Sequence, residues 1–236
     1  MAIGFSTGAV AFPDFRAALE VLDGHPLTAI ELSALRFAEL SLLIQFVGAV
    51  DLGAYGQISV HAPNDFSPEE EADVADALLR FAADRWPIVV HPDVIVDWQI
   101  WQGFGEQLLV ENMDPRRALG RNVAELSRVF DRLPDARLCF DVAHARRVDT
   151  SMLEAFLILD NFSDRLAEVH VSELDAACRH HRLSHGGVAA IREVSSLIPH
   201  HIPAIIEAPV QPSEIDAEIA ASLEALGRAA PLRHAA

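Results

Sequence analysis

Eight short β-rich runs alternate with helix-patterned stretches from one end of the chain to the other, and this rhythm constrains the fold more than any other feature. Strands are expected over 2–5, 28–32, 57–61, 87–91, 107–111, 136–141, 166–170 and 203–207. Strands separated by helices cannot pair as tight hairpins and line up in parallel through crossovers, giving an α/β fold. The chain has 236 residues, 51% of them hydrophobic, and a (β/α)8 TIM barrel closes in about 250 residues. The expectation is therefore one TIM-barrel domain over 1–236, with no linker or low-complexity segment inside it.

The connecting stretches carry helix signals. The stretch 67–85 opens on Ser67-Pro68 followed by Glu69, Glu70 and Glu71, acids that suit the positive end of a helix. The stretch 115–132 puts Ala118, Val123, Leu126 and Phe130 on one face and predicts a second long helix. Between the fourth and fifth strands, 94–105 allows only a short one. The apolar stretch 40–50 either covers the barrel or meets a second copy, so a homo-oligomer stays open. The tail 231–236 is expected to fray.

Composition removes several kinds of function. All 18 positions counted as Lys or Arg are Arg. Without lysine there is no Schiff-base or pyridoxal-phosphate chemistry and no phosphate-loop lysine. No G-x-G-x-x-G loop follows the first strand, so a dinucleotide-binding sheet loses its main support. The formal charge of -17 disfavours nucleic acid, whose binding rests on basic groups displacing counterions. No apolar run reaches the about 18–20 residues of a membrane helix, and the opening residues 1–6 lack the basic start and cleavage site of a signal peptide. A cytoplasmic protein acting on a small-molecule substrate, without a membrane, is expected. The two cysteines, Cys139 and Cys178, make no disulfide framework, and Cys139 lies in an apolar run that reads as core.

Chemistry is concentrated where strands end. Successive apolar runs finish in His61, His91, Glu111, Asp141 with His144 three residues on, His170 and Glu207. In a parallel barrel the C-terminal ends of all strands open on one face, so residues scattered along the sequence converge there. Imidazoles and carboxylates suit divalent Zn, Mn, Fe, Co or Mg, and a carboxylate at the edge of an apolar core is costly unless a cation or hydrogen bonds compensate. One to three metal ions per chain are expected.

The strand-end order His, His-Pro, Glu-Asn, Asp-x-x-His, His, Glu resembles that of the xylose-isomerase-like barrels, a superfamily of sugar isomerases, sugar epimerases and endonuclease IV. The resemblance covers essentially the whole chain. It implies that Glu111, Asp141, His170 and Glu207 hold one metal, that Glu111 and Glu207 also act as acid and base on a substrate carbon, and that His144 contacts substrate. His61, His91-Pro92 and Cys178-Arg179-His180-His181 resemble the additional ligands of endonuclease IV. By that correspondence Glu111 bridges to a second metal held by His61 and His91, and a third takes His144 and His180. Cys178 departs from the pattern, standing where the endonuclease has Asp.

Three activities follow from these resemblances. The first is a metal-dependent isomerase or epimerase of a small sugar or related polyhydroxy carbonyl compound, with proton transfer between the two glutamates. Arg179 or Arg182 is expected to hold a distal hydroxyl, carboxylate or phosphate through its planar fork. The alternatives are a multinuclear zinc phosphoester hydrolase and a multinuclear non-haem iron oxidative enzyme.

Overall fold

The structure is a computed structural model that describes residues 2–11 and 14–228; the tail 231–236 lies outside the described residues. Eight parallel strands close into a barrel: β1 (Ile3–Ser6), β2 (Ala29–Ser33), β3 (Gln57–His61), β4 (Ile88–Val90), β5 (Leu108–Glu111), β6 (Arg137–Asp141), β7 (Leu166–Val171) and β10 (Ala204–Ile206). β1 pairs with both β2 and β10, which leaves no free sheet edge in the ring. All eight strands lie within a residue or two of the expected ones. A short antiparallel hairpin of β8 (Glu173–Leu174) and β9 (His180–His181), which the sequence pattern does not signal, follows β7.

Helices surround the ring: α1 (Thr7–Ala11), α2 (Phe15–Leu22), α3 (Phe37–Val47), α4 (Glu71–Ala83), α5 (Trp98–Gln102), α6 (Val123–Arg132), α7 (Val142–Val148), α8 (Leu153–Asn161), α9 (His185–Val194) and α10 (Ile215–Ala225). No helix among the described residues is long and apolar enough to cross a membrane. Leu40, Leu43 and Phe46 of α3 are buried while Leu42 stays exposed, so one face of the 40–50 stretch covers the barrel.

Two helices begin later than their acidic and apolar patterns predict. α4 starts at Glu71, because the residues before it form a turn in which the Glu70 side chain accepts a hydrogen bond from Ser67 N at 2.7 Å. α6 starts at Val123, not near Pro115. Gly120 has φ +91, a left-handed conformation that no continuous helix passes through, and Asn122 Oδ1 caps the new start by accepting from Glu125 N at 3.0 Å. Ala118 consequently lies exposed in a turn.

The two-residue period of the strands sorts side chains into two shells. Ile3, Phe5, Ile30, Leu32, Val60, Ile88, Val90, Leu108, Val110, Leu138, Phe140, Val169, Val171 and Ile206 pack outward with the helices in one large apolar cluster. Val89, Leu109 and Cys139 form a separate small cluster inside the ring. One step further toward the C-terminal end, the same inward phase presents Ser6, Ser33, His61, His91, Glu111, Asp141, His170 and Glu207. A bulge between β6 and β7 pairs Cys139 with Glu168 and Asp141 with His170, so both acidic and imidazole groups of β7 keep that phase.

Candidate metal centre

The strand ends meet around a cavity of about 330 Å³, lined by His61, His91, Glu111, His144, His180 and Glu207 together with Ser6, Ser33, Asn64, Arg116 and Arg117. Local chain geometry fixes the key carboxylates. Asn112 extends the β5–β6 ladder with its side chain: its Nδ2 donates to Asp141 O at 2.8 Å and its Oδ1 accepts from Asp141 N at 2.8 Å. Asp141 Oδ1 caps α7 by accepting from His144 N at 2.6 Å, leaving Oδ2 over the mouth. The Nδ1 of His61 hydrogen-bonds Ala62 O at 2.9 Å and that of His144 hydrogen-bonds Asn112 O at 2.9 Å, so each ring donates Nδ1–H and, when neutral, has Nε2 as its acceptor nitrogen.

Glu111 is the hub. Its Oε2 lies 3.0 Å from His91 Nε2 and 3.3 Å from His61 Nε2, and its Oε1 lies 3.3 Å from His170 Nδ1 and 3.5 Å from His144 Nδ1. Glu207 Oε2 also lies 3.3 Å from His170 Nδ1. Three sets of ligand atoms at the mouth are close enough to share an ion: His61, His91 and Glu111; Glu111, Asp141, His170 and Glu207; and Asp141, His144 and His180, with the atoms of each set within 4.8 Å of one another.

Two observations bear on whether this donor set fits a cation. Asp141 Oδ2, Glu207 Oε2 and His91 Nδ1 are buried without a hydrogen-bond partner, which is costly in a protein interior unless something else compensates. The electrostatics also carry the mark of crowded like charge. Burial, followed by the charges of Glu207 and Glu111, pushes the Asp141 carboxyl up to about 8 even though His144 opposes it. Burial disfavours the His61 imidazolium, but its hydrogen bond to Glu111 and the charges of Glu31, Glu111 and Glu207 outweigh burial and raise it to about 9. Glu111 and Glu207 are held well below the usual carboxylate range: burial works against this, and the facing histidines overcome it. Protons and imidazolium charge thus balance a carboxylate excess that a divalent ion would balance directly, and the residues fit such an ion.

All eight expected ligands, His61, His91, Glu111, Asp141, His144, His170, His180 and Glu207, are brought together at one mouth. His180 arrives on the hairpin, its Nδ1 2.8 Å from Ser172 Oγ. Two other expectations part from the structure. Arg179 is exposed and paired with Asp175, Nη2 to Oδ2 at 2.7 Å, because the tight turn between β8 and β9 directs it away from the cavity. Arg182 is tied to Glu214 and Glu218 of the α10 region. Cys178, buried in that turn at φ 53, belongs to none of the ligand sets. His181 and His185 stay outside the sets as well.

The cavity has its own cations instead. Arg116 is held by Asp114 through Nη2 at 2.7 Å and Nε at 3.0 Å, and Arg117 lies against Asp93 at 3.4 Å. The adjacent pair Arg116-Arg117 directly follows Glu111-Asn112-Met113-Asp114-Pro115, and that nearness to a strand end is the signal by which sequence points to it.

The eight-stranded parallel barrel superposes on several solved structures over nearly its whole length. A xylose isomerase domain protein from Planctomyces limnophilus superposes with a TM-score of 0.62 at 12% identity, covering 96% of this chain and 95% of that one. The IolI protein with a bound zinc atom superposes with a TM-score of 0.61 at 10% identity, covering 96% and 98%. The 3-keto-D-glucoside 4-epimerase YcjR from E. coli gives 0.51 at 14% identity over 93% and 98%. At these identities the likeness establishes the fold. No family model and no curated protein sequence matches the chain.

Proposed function

We propose that the protein is a divalent-metal-dependent isomerase or epimerase of a small polyhydroxy carbonyl compound. The observation that carries this reading is the placement of Glu111 and Glu207, each 3.3 Å from His170 Nδ1, as two carboxylates beside one imidazole nitrogen at the floor of a small cavity. Glu111, Asp141, His170 and Glu207 would hold the ion. When bound, it would supply a Lewis acid that stabilises negative charge on the oxygens next to the reacting carbon.

The chain's own residues account for the rest. Glu207 is held ionised by His170 and His180, and its side chain is 15% exposed and lines the cavity, so it is the carboxylate placed to take a proton from a substrate carbon. Glu111 is the second carboxylate, its charge balanced by the surrounding imidazoles. Ser6, Ser33 and Asn64 offer hydrogen bonds to hydroxyls. Arg117, with one long contact to Asp93, is available to hold a distal polar or anionic group. The IolI and YcjR neighbours support this choice of chemistry.

Transfer of solvent deuterium into a panel of aldoses, ketoses and keto-glycosides by the metal-loaded protein tests the reading. Exchange abolished by Glu207→Gln supports it, and no exchange across the panel counts against it.

One observation favours a second reading. The sets His61–His91–Glu111 and Asp141–His144–His180 flank the four-ligand set and share residues with it, as a multinuclear hydrolase of a small phosphoester requires. Metal content separates the two: one ion per chain supports isomerisation, and two or three zinc ions support hydrolysis. Two or three iron ions would point to oxidative chemistry.

A further inference from the structure

Beneath the mouth lie two carboxylates that the proposed chemistry leaves unused. Glu31 of β2 is completely buried, and Glu168 of β7 nearly so. Burying an acid inside a barrel is costly unless it is partnered, and both acids converge on one atom. Glu31 Oε2 lies 3.1 Å from His170 Nε2, and Glu168 Oε1 lies 3.3 Å from the same nitrogen. Glu31 Oε1 accepts a hydrogen bond from Ser33 Oγ at 3.3 Å, and Ser33 Oγ lies 2.5 Å from Ser6 Oγ. Glu168 already accepts from Ser59 Oγ at 3.1 Å.

His170 therefore faces two different shells with its two nitrogens. Nδ1 looks up at Glu111 and Glu207, and Nε2 looks down at Glu31 and Glu168. The geometry points to Glu31 and Glu168 as a pair of positioning residues that hold the Nε2–H of His170, Glu168 by a hydrogen bond and Glu31 by its nearby charge, and so fix the tautomer whose Nδ1 lone pair faces the mouth. This rests on the reading of the mouth as a metal centre. Glu31 Oε2 has no hydrogen-bond partner of its own and adds negative charge 3.1 Å from Nε2, while its other oxygen is held by Ser33. Without an anion below, a proton on Nδ1, facing Glu111 and Glu207, becomes the favoured state, and that proton competes with any ion. Carboxylates behind ligating histidines commonly contribute about 10–100-fold in metal affinity.

Glu31→Gln is the discriminating change. The amide carries no charge, so the Nε2–H side of His170 loses one of its two anions and the preference for the tautomer with a free Nδ1 weakens. Zinc affinity, read by competition with a chromophoric chelator, is expected to fall about 10–100-fold, with far-ultraviolet dichroism unchanged. Asp141→Asn is run alongside and is expected to weaken zinc as well. If Asp141→Asn weakens zinc while Glu31→Gln stays within about twofold of the parent, the role of Glu31 is overturned and the metal centre stands. If neither changes affinity, the metal centre itself fails, and this inference with it.

A second measurement needs no variant and decides the matter should Glu31→Gln not fold. Long-range proton–nitrogen spectra of the zinc-loaded parent are expected to report His170 protonated on Nε2 and bound through Nδ1. Cys139, Glu168 and His170 form a further close group inside the ring. A thiolate charge-transfer band in the cobalt-loaded protein would place the ion on that side of His170 and overturn the assignment.

Discussion

His91 Nε2 lies 3.0 Å from Glu111 Oε2, while the other oxygen of Glu111 faces His170 on the far side of the mouth. One carboxylate thus stands between imidazoles from three barrel strands and from the first turns of α7. Glu111→Gln removes the charge common to two ligand sets but keeps the shape. Metal affinity is expected to fall at least ~100-fold, more than for a residue behind the ligands, as measured by elemental analysis after dialysis. Retention of the full metal content would contradict the bridging role.

His180 reaches the mouth on a two-residue hairpin strand and belongs only to the set with Asp141 and His144. His180→Ala should lower the number of bound zinc ions by one if the flanking sets are filled. The four-ligand set should keep its ion. A parent protein that binds a single ion, unchanged by His180→Ala, would show that the flanking sets stay empty.

The metal-free protein should lose stability as pH rises from about 6.5 to 9. His61 is raised from 6.5 to about 9, so its contribution is complete below 6.5 and is lost as pH rises through about 9. Asp141, raised from 3.8 to about 8, binds its proton longer in the folded state, and that contribution also disappears as pH rises through about 8. The lowered histidines His91 and His180 act below 6.5 and do not offset this fall. Melting temperatures of the metal-free protein should therefore decline across this window, and added zinc should restore more at pH 8 than at pH 6, because protons no longer compete. A flat profile in the metal-free protein would contradict the assignment.

Arg117 lines the cavity and Arg179 does not. Once a substrate is in hand, Arg117→Met should raise KM several-fold or more with a smaller change in kcat, as expected for a group that holds a distal part of the substrate. Arg179→Ala should leave both constants unchanged. Equal effects of the two variants would remove Arg117 from the binding surface.

Gly120 supports the centre from outside. Its φ is +91, and a Cβ there would meet Pro92 Cγ at 2.7 Å and Met113 Cγ at 3.2 Å, next to His91 and Glu111. Gly120→Ala is expected to cost about 1–3 kcal/mol from backbone strain alone, and the push on Pro92 should also weaken zinc. Thermal melting and chelator competition read the two effects separately. A melt like that of the parent would mean that the loop relaxes.

The strand ends were legible because each is marked locally, by an apolar run closing on a histidine or an acid. The helix start at Val123 was less so: the apolar period runs back through Ala118, and only the left-handed backbone at Gly120 breaks it. Glu31 and Glu168 carry a fainter signal, an acid inside an apolar run, which by itself does not say what partner compensates it. Arg179 and Arg182 satisfied the rule that loops after barrel strands reach the substrate, but nearby Asp175, Glu214 and Glu218 claim them. Arg116 and Arg117 took the place at the cavity.

By itself, then, the sequence determined the eight βα units and the histidine or acid at each strand end, because these depend on local patterns and on neighbours along the chain. Tertiary structure decided which ends touch. Barrel closure and the β6–β7 register bring His170 between an upper pair of glutamates and a lower one, and the hairpin turn carries Arg179 away while His180 moves in. Such contacts join residues up to more than a hundred positions apart, and no local pattern encodes a distance across a ring.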